Sequence, residues 1–277
     1  MQRISGMQVY RKSEGMKESI KKKAGSLKTI IIVISLILAL LVVAVLVKSC
    51  ITYYMQEKAA GVQFLQDEPS KSIVEADPSL IPDYSGKDVI ELKGNIPCFT
   101  IYDQDHISGE SFSDLDSLGR CGVAYAKINR SMMPTEKRGE IGSIKPSGWK
   151  QAKYPGIVDA EPPYLYNRSH LIAYAMTGQN ANEKNLITGT RYCNAELMLT
   201  YELKVLKYLD DSNNHVLYRV SPYFKDDELL ARGVEMEAYS IEDNGKGVCF
   251  HVFCYNVQPG ITIDYMTGEN SKASPEP

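Results

Sequence analysis

An uncharged apolar run of eighteen residues, 30–47, is interrupted only by Ser35. As an α-helix it would rise about 27 Å, close to the ~30 Å hydrocarbon thickness of a bilayer. The apolar core of a cleaved signal peptide is shorter, roughly 7–15 residues, and is followed by small residues. Here the run ends in Val47-Lys48-Ser49-Cys50. The sequence therefore predicts an uncleaved membrane-spanning helix at residues 30–48, with a cleaved signal peptide and a lipoprotein as the alternatives.

The charges around this run predict its orientation. Eight basic residues precede it, all within residues 1–29. Because such an excess of Lys and Arg stays cytoplasmic, we expect a cytoplasmic basic tail and a single-pass protein of the cell membrane. Residues 49–83 contain three prolines among polar residues and predict an extracellular stalk or linker.

The charge of the remaining chain argues both for and against a polyanionic partner. Residues 1–50 hold nine of the 31 basic and two of the 34 acidic side chains, so residues 51–277 carry a net charge of −10. Phosphate partners favour positive charge instead. However, residues 120–153 contain eight basic and two acidic residues, a local charge of +6. We expect this basic window to be the docking surface for any polyanion.

Residue patterning predicts one α+β domain at residues 84–268, with a central, mostly antiparallel sheet flanked by helices. Residues 194–209 have a helical stripe of apolar side chains, and residues 132–149, rich in Pro, Gly and Lys, predict a long loop. Residues 269–277 are polar and predict a disordered tail. Strands are predicted at residues 88–92, 98–100, 123–128, 215–223, 233–241 and 248–257.

The chain has six cysteines, and none of them forms a C-x-x-C pair, so a structural zinc site is not expected. An extracellular location permits disulfides. Cys98 with Cys121 is one candidate pair, and Cys193 with Cys249 or Cys254 is another. Free buried thiols are an equal alternative.

Polar residues between positions 167 and 202 contain the groups needed for phosphodiester chemistry. Arg168 and His170 are two residues apart, so in an extended segment both would face one phosphate. A histidine accepts a proton near neutral pH, and an arginine binds phosphate through paired hydrogen bonds. The neutral amide oxygen of Asn194 is suited to bind Mg²⁺.

Asn194 and Glu202 lie eight residues apart on the predicted helix, about 80° and 12 Å from each other. They cannot contact one ion directly unless the backbone is irregular, so Glu202 is expected to hold a water of the ion. Its alternative is a surface pair with Lys204 or Lys207. Asn185 is expected to support the site, or to cap or brace the loop before the helix.

Several separated segments resemble the DNA/RNA non-specific endonucleases, especially the secreted or membrane-bound DNases of the streptococcal type. The resemblance covers about residues 84–267 and implies the ββα-metal nuclease fold. The segments are Asn167-Arg-Ser-His170-Leu-Ile-Ala, Asn185-Leu-Ile-Thr-Gly-Thr-Arg-Tyr-Cys-Asn194, Tyr201-Glu202, Gly260-Ile-Thr-Ile-Asp-Tyr265, Met133-Pro-Thr-Glu-Lys-Arg138 and Lys145-Pro-Ser-Gly-Trp149. The family signature Asp-Arg-Gly-His here has Asn167 and Ser169 in its first and third positions.

The resemblance also implies roles for single residues. His170 matches the general base, Arg168 the signature arginine, Asn185 a supporting asparagine, Asn194 the metal ligand and Glu202 the residue that holds a metal water. The implied ion is Mg²⁺, with Mn²⁺ as a substitute. The expected nucleic-acid-binding residues are Arg191, Lys137, Arg138, Lys145 and Lys150.

The implied activity is metal-dependent hydrolysis of DNA, with RNA as a second substrate, to give 5′-phosphate ends. A different class of function remains as the alternative. It is a catalytically silent, membrane-anchored nucleic-acid-binding module of a DNA uptake or transfer apparatus. The sequence identifies no protein partner.

Overall fold

The structure is a computed structural model that describes residues 34–49, 51–52 and 78–274. The chain divides into two units, Met1–Ala60 and Gly61–Pro277. In the first unit, the described residues are helical and exposed. Among the described residues, no helix combines the length and the apolar character that crossing a bilayer requires. The predicted span at residues 30–48 begins outside the described residues and stays a prediction, as does the basic tail at residues 1–29.

The second unit is built on a six-stranded sheet in which every neighbouring pair is antiparallel, which confirms the predicted α+β class. Its strands are β1 Val89–Glu91, β2 Gly109–Phe112, β3 Ala124–Ile128, β6 Val216–Tyr223, β7 Gly233–Ser240 and β8 Cys249–Tyr255. Across the sheet they lie in the order β1-β8-β7-β6-β3-β2.

In the described part of this unit, two small hairpin-like sheets, three α-helices and several short 3-10 turns accompany the large sheet. The sheets pair β4 (Tyr166–His170) with β5 (Leu186–Thr190), and β9 (Ile261–Ile263) with β10 (Asn270–Lys272). A π-helical turn, Cys193–Met198, leads directly into the longest of the three helices. The helices are α1 Ile101–His106, α2 Tyr174–Thr177 and α3 Leu199–Asp211.

The two faces of the large sheet have different neighbours. On one face, Met236 and Ala238 of β7 pack in the main core with Val205 and Leu209 of α3. Because side chains alternate along a strand, Glu235, Glu237 and Tyr239 of β7 lie on the opposite face. Tyr239 packs there with Phe99 and Ile107, on either side of α1. The molecule can therefore carry two separate polar sites, one on each side of the sheet.

Most predicted strands are confirmed, but the one at residues 98–100 is wrong. Thr100 instead caps α1, since its hydroxyl accepts the Asp103 N–H at 3.1 Å while the Asp103 carboxylate accepts the Thr100 N–H at 2.7 Å. Such a reciprocal capping box favours a helix start over an extended strand. Strand β2 was not predicted, because its sequence Gly-Glu-Ser-Phe has no apolar alternation.

The predicted ends of the domain need correction, and the described cysteines are thiols, which was the alternative to the candidate disulfides. Ile81 is buried against Phe253 and Tyr255, so the folded unit includes part of the predicted linker. Asn270–Lys272 form β10 within the predicted disordered tail, because they pair with β9. Residues 53–77 and 275–277 lie outside the described residues. Neither disulfide is formed, since four of the cysteines concerned are thiols: Cys98, Cys121, Cys193 and Cys254.

Candidate active site

The β4–β5 hairpin positions the first candidate residues. His170 ends β4 opposite Leu186, and Asn167 lies opposite Gly189. A Cβ atom at Gly189 would overlap the Ser169 hydroxyl, so the two strands need glycine there. The tight pairing holds β4 extended, so alternation puts Arg168 and His170 on one side of the strand, and their contact with one phosphate stays a prediction.

Asn185 braces the chain just beyond His170. Its fully buried side chain accepts the N–H of Ile172 at 2.8 Å and donates to the carbonyl of Ile172 at 3.0 Å. The Asn185 carbonyl also accepts the N–H of Leu171 at 2.9 Å. Asn185 therefore fixes the backbone two residues beyond His170, and its support of catalysis stays a prediction.

The ring of His170 is buried, with 6% of the residue exposed, and a backbone carbonyl determines which tautomer it adopts. Nε2 lies 2.9 Å from the carbonyl oxygen of Asn180. Because a carbonyl only accepts, Nε2 carries the hydrogen and Nδ1 is the basic nitrogen. Burial lowers the pKa of His170, and the charge of Arg138 lowers it further, against the raising effect of the carbonyls of Asn180 and Gln179. The ring is therefore neutral at pH 7 and able to accept a proton.

An open cleft of about 620 Å³ is lined by residues of β4 and by Arg191 and Asn194, which follow β5. Among the residues that line it are three arginines but only one acidic residue, Glu161. This local positive charge favours a polyanion on a domain that is acidic as a whole. The lining residues that the sequence had singled out are Arg138, Arg168, Arg191 and Asn194.

Arg168 is held by the loop that precedes β4. Its Nε donates to the carbonyl of Ile144 and its Nη2 to that of Gly142, the latter at 2.7 Å. Its guanidinium also lies 4.3 Å from the ring centroid of Trp149. These contacts make Arg168 a brace for the loop, and its phosphate contact stays a prediction. Among the described residues, the other two cleft arginines make no ion pair.

Asn194 belongs to the π-helical turn, and Glu202 belongs to α3. The i→i+5 pattern of a π-helix uses more residues per turn than the 3.6 of an α-helix, so each residue advances by less than about 100°. This irregularity reduces the 80° offset expected for a regular helix. It therefore reduces the angle between Asn194 and Glu202 about the helix axis, while their separation along the axis remains, so a shared ion stays a prediction.

Glu202 lies in a desolvated environment. Burial raises its pKa to about 7, and its charge contributes to the raised pKa values of Cys193, Tyr218 and Cys254. The alternative surface pairs are not formed. Lys207 pairs with Asp211 at 2.6 Å, and Lys204 lies 4.4 Å from the ring centroid of Tyr201. Glu202 is half-buried and desolvated, and a carboxylate in such a place without a cationic partner among the described residues fits a divalent ion nearby.

Comparison with known proteins identifies the family. The sequence model of the DNA/RNA non-specific endonucleases matches residues 100–242 of the 277-residue chain. The chain belongs to the DNA/RNA non-specific endonuclease family. Its pairing of β4 with β5, followed by the π turn and α3, is the ββα arrangement that the resemblance implied.

Solved structures place this endonuclease beside nucleases of the streptococcal type. NucA from Streptococcus agalactiae with no metal bound is 26% identical with a TM-score of 0.59, over 71% of this chain and 92% of NucA. The magnesium-bound form of NucA is 25% identical with a TM-score of 0.59, over 69% of this chain and 91% of NucA. The Sda1 nuclease with bound zinc is 28% identical with a TM-score of 0.51, over 60% of this chain and 83% of Sda1. This endonuclease therefore acts on nucleic acid.

The predicted basic window is not one surface of the endonuclease. Arg120 pairs with Asp116 at 2.7 Å, Arg130 donates to the carbonyl of Asp210 at 2.8 Å, and Lys127 donates to that of Gln104 at 3.1 Å. These contacts use basic groups to brace the fold. Of the expected nucleic-acid-binding lysines, Lys137 and Lys145 are exposed, and Lys150 lies 3.5 Å from Glu269.

Two residues that position the site were not predicted. Gln151 accepts the N–H of Tyr166 at 2.9 Å and donates to its carbonyl at 2.6 Å, which holds the start of β4. Asn180 supplies the carbonyl that orients His170. No motif could have identified Asn180, because every residue type has the same carbonyl.

Proposed function

We propose that this nuclease is a metal-dependent endonuclease that hydrolyses the phosphodiester bonds of DNA, with RNA as a second substrate. The observation that carries the proposal is the state of His170: a neutral ring whose Nε2 hydrogen is held by Asn180. The strand that ends in this histidine lines a cleft rich in arginine. His170 does not itself line this cleft, but the charge of the cleft residue Arg138 acts on it, and phosphodiester hydrolysis needs a base near a site for polyanions.

The ion is proposed to be Mg²⁺, with Mn²⁺ as a substitute, held by the amide oxygen of Asn194. The magnesium-bound form of NucA supports this choice. When bound, such an ion stabilises the negative charge that develops on the reacting phosphate. Glu202 supplies a carboxylate on the same continuous helical segment, and oxygen ligands of this kind suit a hard cation such as Mg²⁺.

The residues of the chain then have separate tasks. His170 Nδ1 takes a proton from a water that attacks phosphorus, and Asn185 keeps the segment after the ring in place. Arg138 and Arg191 bind the non-bridging oxygens from the cleft wall. The bond from phosphorus to the 3′-oxygen breaks, and the leaving 3′-oxygen takes a proton from solvent, so the products carry 5′-phosphate and 3′-hydroxyl ends.

The nuclease is also proposed to be anchored in the cell membrane with its catalytic domain outside. The apolar run at residues 30–47 and the basic residues before it support this location. Treating intact cells with a protease should remove the domain. If the domain is protected until the cells are lysed, this location is wrong. The silent-module alternative is not favoured by the complete set of candidate residues.

Plasmid digestion tests the activity. The full-length chain is incubated with supercoiled plasmid and with Mg²⁺, Mn²⁺, Ca²⁺ or EDTA. We expect nicking with Mg²⁺ and none with EDTA, and a loss of roughly 10²–10⁴-fold for His170→Ala. His106→Ala is the matched control, since that histidine is exposed and bonded to the carbonyl of Tyr102 at 3.0 Å. Equal rates for wild type and His170→Ala would refute the proposed base.

A further inference from the structure

A second polar cluster lies on the face of the sheet opposite α3. Glu237 of β7 and His251 of β8 are directly paired across the two strands, and Cys98 approaches them from the segment before α1. One ligand atom from each of the three residues lies within 4.8 Å of the others. Thiolate, imidazole and carboxylate are the three side-chain groups with which proteins bind zinc.

The distances around His251 resemble those of a tetrahedral site. Its Nδ1 lies 3.8 Å from Cys98 Sγ and 3.7 Å from Glu237 Oε1. Ligands at the usual zinc bond lengths of 2.0–2.3 Å are roughly 3.3–3.6 Å apart in a tetrahedron. Small side-chain movements would therefore complete the geometry on the Nδ1 side of the ring.

Neighbouring groups hold each ligand in place. The other ring nitrogen, Nε2, lies 2.5 Å from Glu235 Oε1, which is the carboxylate–histidine contact that orients histidines bound to metals. Glu237 binds Arg219 through Oε2 at 2.5 Å, so Oε1 faces the cluster. Oε1 also accepts the N–H of Cys98 at 2.6 Å, which fixes the backbone that carries the thiol.

An ion at this cluster must displace two things that now occupy it: the ammonium group of Lys93 and the hydrogen on His251 Nδ1. Lys93 donates to Cys98 Sγ at 3.1 Å, but its side chain lies at the surface and can move into solvent. His251 Nδ1 lies 2.9 Å from the carbonyl of Ile96. The ring proton occupies the place that a metal would take, so binding releases it.

We propose that Cys98, Glu237 and His251 bind one zinc-class divalent ion, separate from the catalytic ion. The thiolate selects Zn²⁺ over Mg²⁺, because soft sulfur ligands favour soft metals. Cys98 is partly exposed, so a water completes the fourth position. The ion ties the segment that leads into α1 to β7 and β8. This inference does not depend on the proposed catalytic mechanism.

Cobalt substitution tests the site in the full-length chain after treatment with a chelator. Tetrahedral Co²⁺ with a thiolate ligand has a ligand-to-metal charge-transfer band. We expect one equivalent of this species in wild type and in Asn194→Ala, which lacks the catalytic ligand, and at least a tenfold loss in Cys98→Ser. Cys249→Ser is the matched control, an exposed cysteine of the same strand as His251 but outside the cluster.

Thermal unfolding gives a second readout, which can be measured on wild type alone. Added Zn²⁺ should raise the unfolding temperature of wild type by several degrees, since an ion that binds only the folded state stabilises it. The same shift should occur in Asn194→Ala. A cobalt thiolate band that survives in Cys98→Ser would overturn the site. So would the absence of any zinc-dependent shift in wild type.

Discussion

His170 donates its Nε2 hydrogen to the main-chain carbonyl of Asn180 at 2.9 Å. The contact depends on a reversal of the chain after α2, where Gly178 has φ of 72° and ends the helix in the left-handed conformation. This turn brings Asn180 back to the end of β4. The tautomer of the proposed base is thus set by a carbonyl ten residues further along the chain, just beyond a helix end.

The activity of the endonuclease should persist at lower pH than a histidine base ordinarily allows. Burial first, and then Arg138, lower the pKa of His170 from its ordinary 6.5. A base works when neutral, so a lowered pKa moves the acidic limb of kcat/KM to lower pH. Arg138→Gln removes one lowering effect and should shift this limb to higher pH. Arg130→Gln, which changes an arginine outside the cleft, should leave the limb in place, and an unchanged limb in Arg138→Gln would contradict the interpretation.

Removing the brace at Asn185 should destabilise the fold as well as the activity. In Asn185→Ala the buried N–H and carbonyl of Ile172 lose their partners, so we expect a loss of roughly 1–3 kcal/mol in the free energy of unfolding. Urea titration measures this loss. Asn182→Ala is the control: that residue caps the next turn by accepting the Lys184 N–H at 3.1 Å, and its loss should be smaller. Equal losses in the two variants would argue against the brace.

Glu202 should make the metal-free protein less stable as the pH rises. Burial raises its folded pKa from 4.5 to about 7, so its protonated form contributes stability below pH 4.5 that is lost as the pH rises through 7. At pH 8 the free energy of unfolding of metal-free Glu202→Gln, measured by urea titration, should therefore exceed that of wild type by roughly 1–3 kcal/mol. At pH 4 the two free energies should be equal. Glu196→Gln, an exposed control, should show no such difference. If the free energy of unfolding of Glu202→Gln does not exceed that of wild type at pH 8, the folded protein already stabilises the charged Glu202 carboxylate.

The cleft arginines, rather than the whole basic window, should control the salt dependence of DNA binding. Each phosphate contact contributes about 0.9 to the slope of log K against log salt. We expect Arg138→Gln and Arg191→Gln each to reduce that slope by about 1, measured by fluorescence anisotropy with a labelled duplex in chelator. Arg130→Gln should leave the slope unchanged, because its guanidinium bonds to α3. A reduced slope in Arg130→Gln would return the docking surface to the window.

Local sequence patterns predicted much of the fold. The alternation in residues 123–128 and 233–241 and the apolar stripe before residue 209 predicted β3, β7 and α3. The strand proposed at residues 98–100 failed because three residues contain too little pattern to compete with a capping box. The π-helical turn at Asn194 was considered only as an irregular backbone, since no residue type marks the change from i→i+4 to i→i+5 bonding.

By itself, the sequence determined the α+β class, the family and the identity of the candidate base and ligand, because these depend on residue type and local spacing. Only the tertiary structure decided which charges act together. It divided the basic window between the cleft and the scaffold, turned Arg168 onto Trp149, and brought Cys98 to His251 across 153 positions of chain. Contacts between distant residues follow from how strands pair and loops return, and no local spacing records them.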